Sequence, residues 1–270
     1  MLAISPRTGE TARFASKQVF LAAGTIQSSK IVLNSLRLFN RPLRVMDSQY
    51  FLFPFLLWRS QAPRCPEEER LYTLAQVFLE LERPDISRRP VHFSVYSFND
   101  QMLALLRRTF AWLGPLGPSA ARSLARRMLV FGGYLHSDDS GSLEMALTPA
   151  TAHGKSSLTL SHQKSAQAHK IARRAVYALA RLAPIVGGFP ILPMLMIKDP
   201  GTGNHYGGTF PMRREPKEIT ESDSLGRPAG LQRTFLVDSS CLPSIPASTI
   251  TLNTMANAHR IASLASTIVT

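Results

Sequence analysis

Close to its beginning the chain runs a short apolar stretch, a glycine and an amphipathic helical pattern in immediate succession. Residues 11–23 (TARFASKQVFLAA) alternate and then close in the apolar run VFLAA, the pattern of a strand buried on both faces by its end. Gly24 breaks the run, and residues 25–36 place apolar side chains at 26, 32, 33 and 36, at helical spacing. Strand, tight glycine turn and helix form the βα unit of a doubly wound α/β domain.

Between residues 41 and 200 the texture changes. Strand-like stretches occur at 71–81, 91–98, 128–136, 142–147 and 156–160, separated by turn signals such as HSDDSGS. Helical patterns occupy 101–113 and, most clearly, 162–182. There Ala168, Ile171, Ala172, Ala175, Leu179 and Leu182 share one face, and Pro184 closes the helix. The last seventy residues return to the first texture: a short strand at 234–238, a loop with two prolines (SSCLPSIPAST) and a long helix at 250–269. Ser248 or Thr249 offers that helix an N-cap. The fold class expected is α/β (α+β), with no internal repeat. Residues 1–40 give part of a doubly wound domain and 41–200 an inserted domain of mostly antiparallel sheet plus helices. Residues 201–270 give a loop and a return to the first domain.

Charge and cysteine usage narrow the function classes. Thirty-one Lys and Arg against eighteen Asp and Glu give a net charge of +13, a balance that favours anionic contacts. The basic residues are scattered pairs such as Arg107-Arg108 and Arg173-Arg174 with no helix-turn-helix, zinc-finger or RNP pattern, so specific nucleic-acid binding is not expected. Cys65 and Cys241 form no CxxC pair. This excludes a disulfide scaffold and a zinc-finger metal site and fits a reducing, cytoplasmic compartment. The N-terminus lacks the pattern of a secretory signal, and the apolar run FLFPFLLW (51–58) is too short to span a bilayer and contains a proline. The expected chain is soluble or at most attached to a membrane surface.

Among motifs, GTGNHYGG (201–208) has the wrong spacing for a phosphate loop, and Pro211 stands where the following helix would propagate. A GxSxG elbow, HExxH and GKS/GKT are all absent, which removes serine hydrolases, zincins and P-loop NTPases. His205 remains, a histidine in a glycine-rich loop. Neighbouring glycines let backbone approach a flat ligand, and imidazole suits proton acceptance near neutral pH. A second feature is the loop-to-helix junction at 246–251, where exposed N–H groups suit a developing anion.

Three segments, in order, resemble the glucose–methanol–choline (GMC) flavin oxidoreductases. VFLAAGTIQSSKIVLNS (19–35) is similar to the family's strand and glycine turn. NHYGGTFPM (204–212) is similar to its His-Pro-x-Gly-Thr-x-x-Met segment, through His205, Gly208, Thr209 and Met212. Residues 236–263 resemble its Val-Asp-x-Ser-x-x-Pro-x-x-Pro loop and terminal helix, through Val237, Asp238, Ser240, Pro243 and Pro246. Together they cover about a fifth of the chain. The resemblance implies FAD as cofactor and oxidation of a small-molecule alcohol by hydride transfer to the flavin, with His205 as proton acceptor. It also implies that Ala23, Gly24, Asp238, Ser239, Ile250 and Thr251 lie against the cofactor, with N–H groups at 249–251 stabilising charge on the reduced ring.

The sequence departs from the family pattern in three places. Thr249 stands where many members carry a second His or Asn, and Asn253, one turn on, could supply the amide instead. Ser29 replaces a helix-start proline. The family's N-terminal βαβ unit with its GxGxxG loop has no counterpart in this sequence. The expectation is therefore the C-terminal part of a flavoenzyme, with another chain or segment supplying the rest of the FAD-binding domain. Two further readings stand beside it. One is a remnant that has lost catalysis and serves as a binding module. The other adds a membrane-surface role for residues 103–131, where Leu, Phe and Trp mix with paired arginines, against the plainer reading of a helix packed on the sheet.

Overall fold

A computed structural model describes residues 2–5, 7–59, 75, 77–97, 100–150 and 156–268. Cys65, part of the 71–81 pattern and residue 98 lie outside the described residues.

The largest sheet is antiparallel. Its strands run in the order Gly188–Pro190, Tyr50–Leu57, Met128–Tyr134, Val91–Tyr96 and Val77–Leu81, and Met196–Ile197 also pairs with Tyr50–Leu57. The period-2 alternation gives it two unlike faces. One carries Phe51, Phe53, Phe55, Phe93, Val95 and Phe131, all buried beneath the helix Ala166–Arg181. That helix contributes the predicted stripe of Ala168, Ile171, Ala172, Ala175 and Leu179, together with Val176. It starts at Ser165, whose hydroxyl caps the Ala168 N–H at 3.2 Å, because 162 and 163 belong to the strand Ser157–Gln163. Leu182 is exposed. Residues 51–57 of the run FLFPFLLW therefore belong to a core strand, while Trp58 stands past its end and is exposed. Pro54 stands near the end of the short neighbouring strand, where its carbonyl still accepts from the Ile191 N–H at 2.9 Å.

A second antiparallel sheet orders Ser157–Gln163, Ser142–Thr148, Leu43–Asp47 and Tyr206–Gly207. Leu43, Val45, Leu143, Met145 and Leu147 from this sheet pack with Val32 and Leu33 of the helix Thr25–Ser35, and with Phe210, Phe235, Cys241 and Ile261. Residues 41–200 thus contribute to both cores. This second core holds the chain's ends and middle together; each fully buried apolar side chain contributes about 1.5–3 kcal/mol.

Val19–Leu21 and Thr234–Leu236 form a two-stranded parallel sheet. Here the predictions need correction. The 11–23 pattern splits: Thr11–Arg13 pairs in a hairpin with Leu2–Ile4, and the strand before Gly24 ends at Leu21. It is not buried on both faces: Phe20 is 44% exposed, and among the described residues Thr234–Leu236 is its one strand partner. The last helix runs Thr251–Ala265, followed by a turn at Ser266–Ile268. Of its apolar positions only Ile261 and Ala265 are buried, while Leu252, Met255 and Leu264 face outward. Its N-cap is Ile250, with no side-chain cap bond, so neither Ser248 nor Thr249 caps it.

Residues 100–125 form a helical hairpin, Asp100–Thr109 and Gly117–Ala125, closed by Leu103, Ala121 and Ala125 packing on one another. Among the described residues no helix is long and apolar enough to cross a membrane.

Candidate functional site

His205 ends a tight turn in which Gly201 (φ 86°) and Asn204 (φ 60°) take left-handed conformations. Its own carbonyl accepts from the Ser48 N–H at 2.8 Å, and the next residues pair with Met46 and Asp47. Asp47 anchors the turn by accepting from the Gly201 N–H at 3.0 Å. This carboxyl is fully buried and its Oδ1 has no hydrogen-bond partner among the described residues, and burial pushes its pKa up to about 6.

The His205 ring is half-buried, and its Nδ1 is enclosed without a hydrogen-bond partner among the described residues. Burial, with a smaller contribution from the nearby His92, holds its pKa below the ordinary imidazole value. A lowered pKa favours the neutral ring, the state in which it accepts a proton. It stacks on Tyr134, with ring centroids 5.1 Å apart and 30° between planes.

Tyr134 belongs to the second face of the large sheet. Register pairs it with Tyr50 on one side and His92 on the other, and pairs His92 with Glu80. The Tyr50 and Tyr134 rings lie 5.0 Å apart, and Tyr134 is hydrogen-bonded to Tyr96. Burial raises the pKa of both the Tyr50 and the Tyr134 phenol. His92 Nδ1 is 2.5 Å from Glu80 Oε1, with its other nitrogen 3.3 Å from Ser94 Oγ. Gly132 leaves room for the tyrosines: a Cβ there would sit 3.0 Å from the Tyr50 ring. Sequence reasoning missed this face. Its signal was present in the 91–98 strand, where His92, Ser94 and Tyr96 alternate with Val91, Phe93 and Val95.

Four of the predicted cofactor residues come together next to His205. The Gly24 N–H donates to Asp238 Oδ2 at 3.0 Å, and Thr25 Oγ1 lies 2.7 Å from Ser239 Oγ. Thr25 and Ser239 both donate to the Tyr206 carbonyl at 3.1 Å. Asp238 is nearly buried. Its two oxygens also accept from the Ser28 hydroxyl and from the N–H and hydroxyl of Ser240, at 2.9 and 2.5 Å. That carboxylate is committed to the protein, which leaves Ala23 and Gly24, both exposed at the helix start, as the open part of this turn. Ser29 makes a link that proline could not: its Oγ is 2.6 Å from Thr209 Oγ1 in the histidine segment.

Thr249, Thr251 and Asn253 are exposed and Ile250 half-buried at the start of the last helix. No hydrogen bond among the described residues joins Thr249 or Asn253 to the histidine segment. The approach is indirect: Ile245, in the loop leading to that helix, exchanges backbone and hydroxyl bonds of 2.9 and 3.0 Å with Ser137, three residues beyond Tyr134.

No protein-family model and no curated protein matches the chain. Solved structures do. Pyridoxine 4-oxidase from Mesorbium loti superimposes with a TM-score of 0.60 at 14% identity, covering 97% of this chain and 53% of its own. Formate oxidase gives a TM-score of 0.56 at 14% identity, covering 97% and 56%. The chain shares their fold. It spans about half the length of each of these structures.

Proposed function

We propose that this chain carries the substrate-facing part of an FAD-dependent oxidoreductase that acts on the CH–OH group of a small-molecule alcohol, with His205 as proton acceptor. The observation that carries the reading is His205 itself: a half-buried imidazole whose pKa burial lowers, stacked on a tyrosine-lined sheet face. The GMC resemblance of the three segments and the fold shared with two oxidases support it.

The residues present fit one side of a flavin site. The last helix begins with no side-chain cap, so its first N–H groups are open to a developing negative charge. Gly24, at φ 82°, opens the other helix start. Ala23, Gly24, Ile250 and Thr251 are the residues that would hold the cofactor, with the buried Ser239 supporting the turn from behind through Thr25 and Tyr206. Bound FAD would supply the hydride acceptor. The chain's part is to receive the hydroxyl proton on the His205 imidazole, which strengthens hydride donation from the carbinol carbon by about 10²–10⁴-fold. Tyr134 and Tyr50 would wall the substrate side and exclude water.

The sequence has no GxGxxG loop to hold a pyrophosphate. Among the described residues the parallel pair Val19–Leu21 and Thr234–Leu236 has open strand edges, and Phe20 and the apolar Leu252, Met255 and Leu264 of the last helix are exposed. A two-stranded parallel sheet is too small to cover its own faces. We therefore assign completion of the FAD site to further polypeptide that adds strands here.

The test is co-production of this chain with a polypeptide bearing a GxGxxG βαβ unit, followed by flavin absorbance and alcohol-dependent bleaching. Flavin retention by the pair and loss of bleaching in His205→Asn, with flavin still bound, support the reading. Unchanged bleaching in His205→Asn removes the base assignment. Flavin retained by this chain alone removes the requirement for a partner. Retained flavin that no alcohol bleaches would favour a binding module.

A further inference from the structure

The antiparallel registers divide the strand ends of the large sheet between two edges. Tyr50, Tyr134, His92 and Glu80 meet at one edge, beside His205. Leu57, Met128, Tyr96, Val77 and Gly188 meet at the opposite edge. Two helical connections leave from that far edge. The hairpin of residues 100–125 leads from Tyr96 to Met128, and the one-turn helix Ala183–Val186 leads into Gly188. Trp58 is tied to the same place, its N–H donating to the Gly187 carbonyl at 2.9 Å while Arg127 donates to its own carbonyl at 2.8 Å.

This edge exposes large apolar side chains. Ile185 is 84% exposed, Trp112 78% and Trp58 50%, and Leu105, Leu116 and Leu182 are exposed with them. Lone exposed apolar residues are ordinary, but a set gathered on one end marks a contact surface. The chain contains two tryptophans, and both are in this set.

The charge on the hairpin is mostly basic: residues 100–125 hold Arg107, Arg108 and Arg122 against one acidic residue, Asp100, and Arg126 and Arg127 follow directly. Arg107 and Arg108 are exposed on the hairpin, and Arg181 is exposed one residue before Leu182. Tryptophan and snorkelling arginine together belong in the headgroup layer of a bilayer.

We propose that this far edge docks on an anionic lipid surface, with the 100–125 hairpin and Ala183–Val186 lying in the headgroup layer. The His205 edge of the sheet then points away from the bilayer. The proposal does not depend on the flavin reading.

Because both tryptophans sit in the set, their fluorescence reads the contact directly. The experiment titrates the chain with mixed phosphatidylcholine–phosphatidylglycerol vesicles and, in parallel, with phosphatidylcholine alone. Anionic vesicles are expected to shift the emission to the blue, to pellet the protein, and to quench it when the acyl chains are brominated. The effect weakens as salt is added. Ile185→Asp, and separately the pair Arg107→Ala and Arg108→Ala, lower partitioning at least about tenfold with the circular dichroism spectrum unchanged. His205→Asn leaves partitioning as it was. Absence of both shift and pelleting with anionic vesicles overturns the proposal, as does equal partitioning by the Ile185→Asp protein. A blue shift that grows with protein concentration without lipid would mean a second copy covers this edge, and would also overturn it. Soluble glycerol phosphate that abolishes pelleting at millimolar concentration would reassign the cationic residues to a free phosphate ligand.

Discussion

The imidazole of His205 rests on the phenol ring of Tyr134, centroids 5.1 Å apart, although Tyr134 lies in the large sheet and His205 in the turn that leads into the other. The contact joins the short strand Tyr206–Gly207 of the four-stranded sheet to the far-reaching strand Met128–Tyr134 of the larger one. Burial is the main reason its pKa is depressed, and the Tyr134 ring is one of the surfaces that cover it. Tyr134→Ala should therefore raise the His205 pKa toward the ordinary imidazole value, and Tyr134→Phe should leave it where it is. Titration of the ring C2 proton by NMR reads both. An alanine variant titrating like the wild type would mean that other groups desolvate the ring.

His92 supplies the second, smaller cause of the depression, acting as a like charge when both rings are protonated. His92→Gln keeps a hydrogen-bonding side chain toward Glu80 and removes that charge. The His205 titration should move to higher pH. Because the neutral imidazole is the working form, the acid limb of kcat/KM in the flavin-loaded assembly should move in the same direction. A limb that stays in place would separate the activity from His205 titration.

Much of this architecture was legible in the sequence, for reasons particular residues make plain. The stripe from Ala168 to Leu179 has the 3.6 period and little else to do but bury, and it does. The turn at Gly24 needs a positive φ, and the helix after it follows the pattern read. What local pattern could not carry is long-range pairing. Nothing in VFLAA states that one strand edge stays open, so Phe20 reads as buried and is not. The same holds for Leu252 and Met255, apolar at helical spacing yet facing outward. The tyrosine face was hidden because it assembles from three strands, each contributing one ordinary-looking residue at Tyr50, Tyr134 and His92. FLFPFLLW concealed its strand behind Pro54.

Asp47 gives a stability prediction with a definite sign. Its folded pKa of about 6 lies above the ordinary 3.8, so between those values the folded chain holds more protons than the unfolded one. Stability contributed by this group is full below about pH 4 and is lost as pH rises through about 6. The loss is about 3 kcal/mol in order of magnitude, from roughly two pKa units at 1.36 kcal/mol each. Asp47→Asn keeps an acceptor for the Gly201 N–H and cannot ionise. Urea unfolding at pH 4 and pH 7 should show a drop for the wild type that exceeds the drop for the variant by that amount. Parallel curves for the two proteins would place the buried charge elsewhere.

Asp238 tests whether the cofactor-side turn is held by side chains or by the backbone path alone. Its carboxylate takes bonds from the Gly24 N–H, the Ser28 hydroxyl, and the N–H and hydroxyl of Ser240, so it ties the first helix to the loop before the last one across more than two hundred residues. Removing one partner from such a buried set leaves the others without acceptors, and bonds to a charged group are worth about 1.5–3 kcal/mol each. Asp238→Ala should lower stability by at least about 3 kcal/mol, since four donors lose their acceptor together. Asp238→Asn retains one acceptor oxygen and turns the other into a donor facing donors, so it should fall between alanine and wild type. Asp199→Ala, which loses only an exposed ion pair with Lys164, should cost less than about 1 kcal/mol under the same conditions. If Asp238→Ala unfolds at the same denaturant concentration as Asp199→Ala, the turn at Gly24 is held by its backbone and by the second core, and the carboxylate is free to serve a ligand instead.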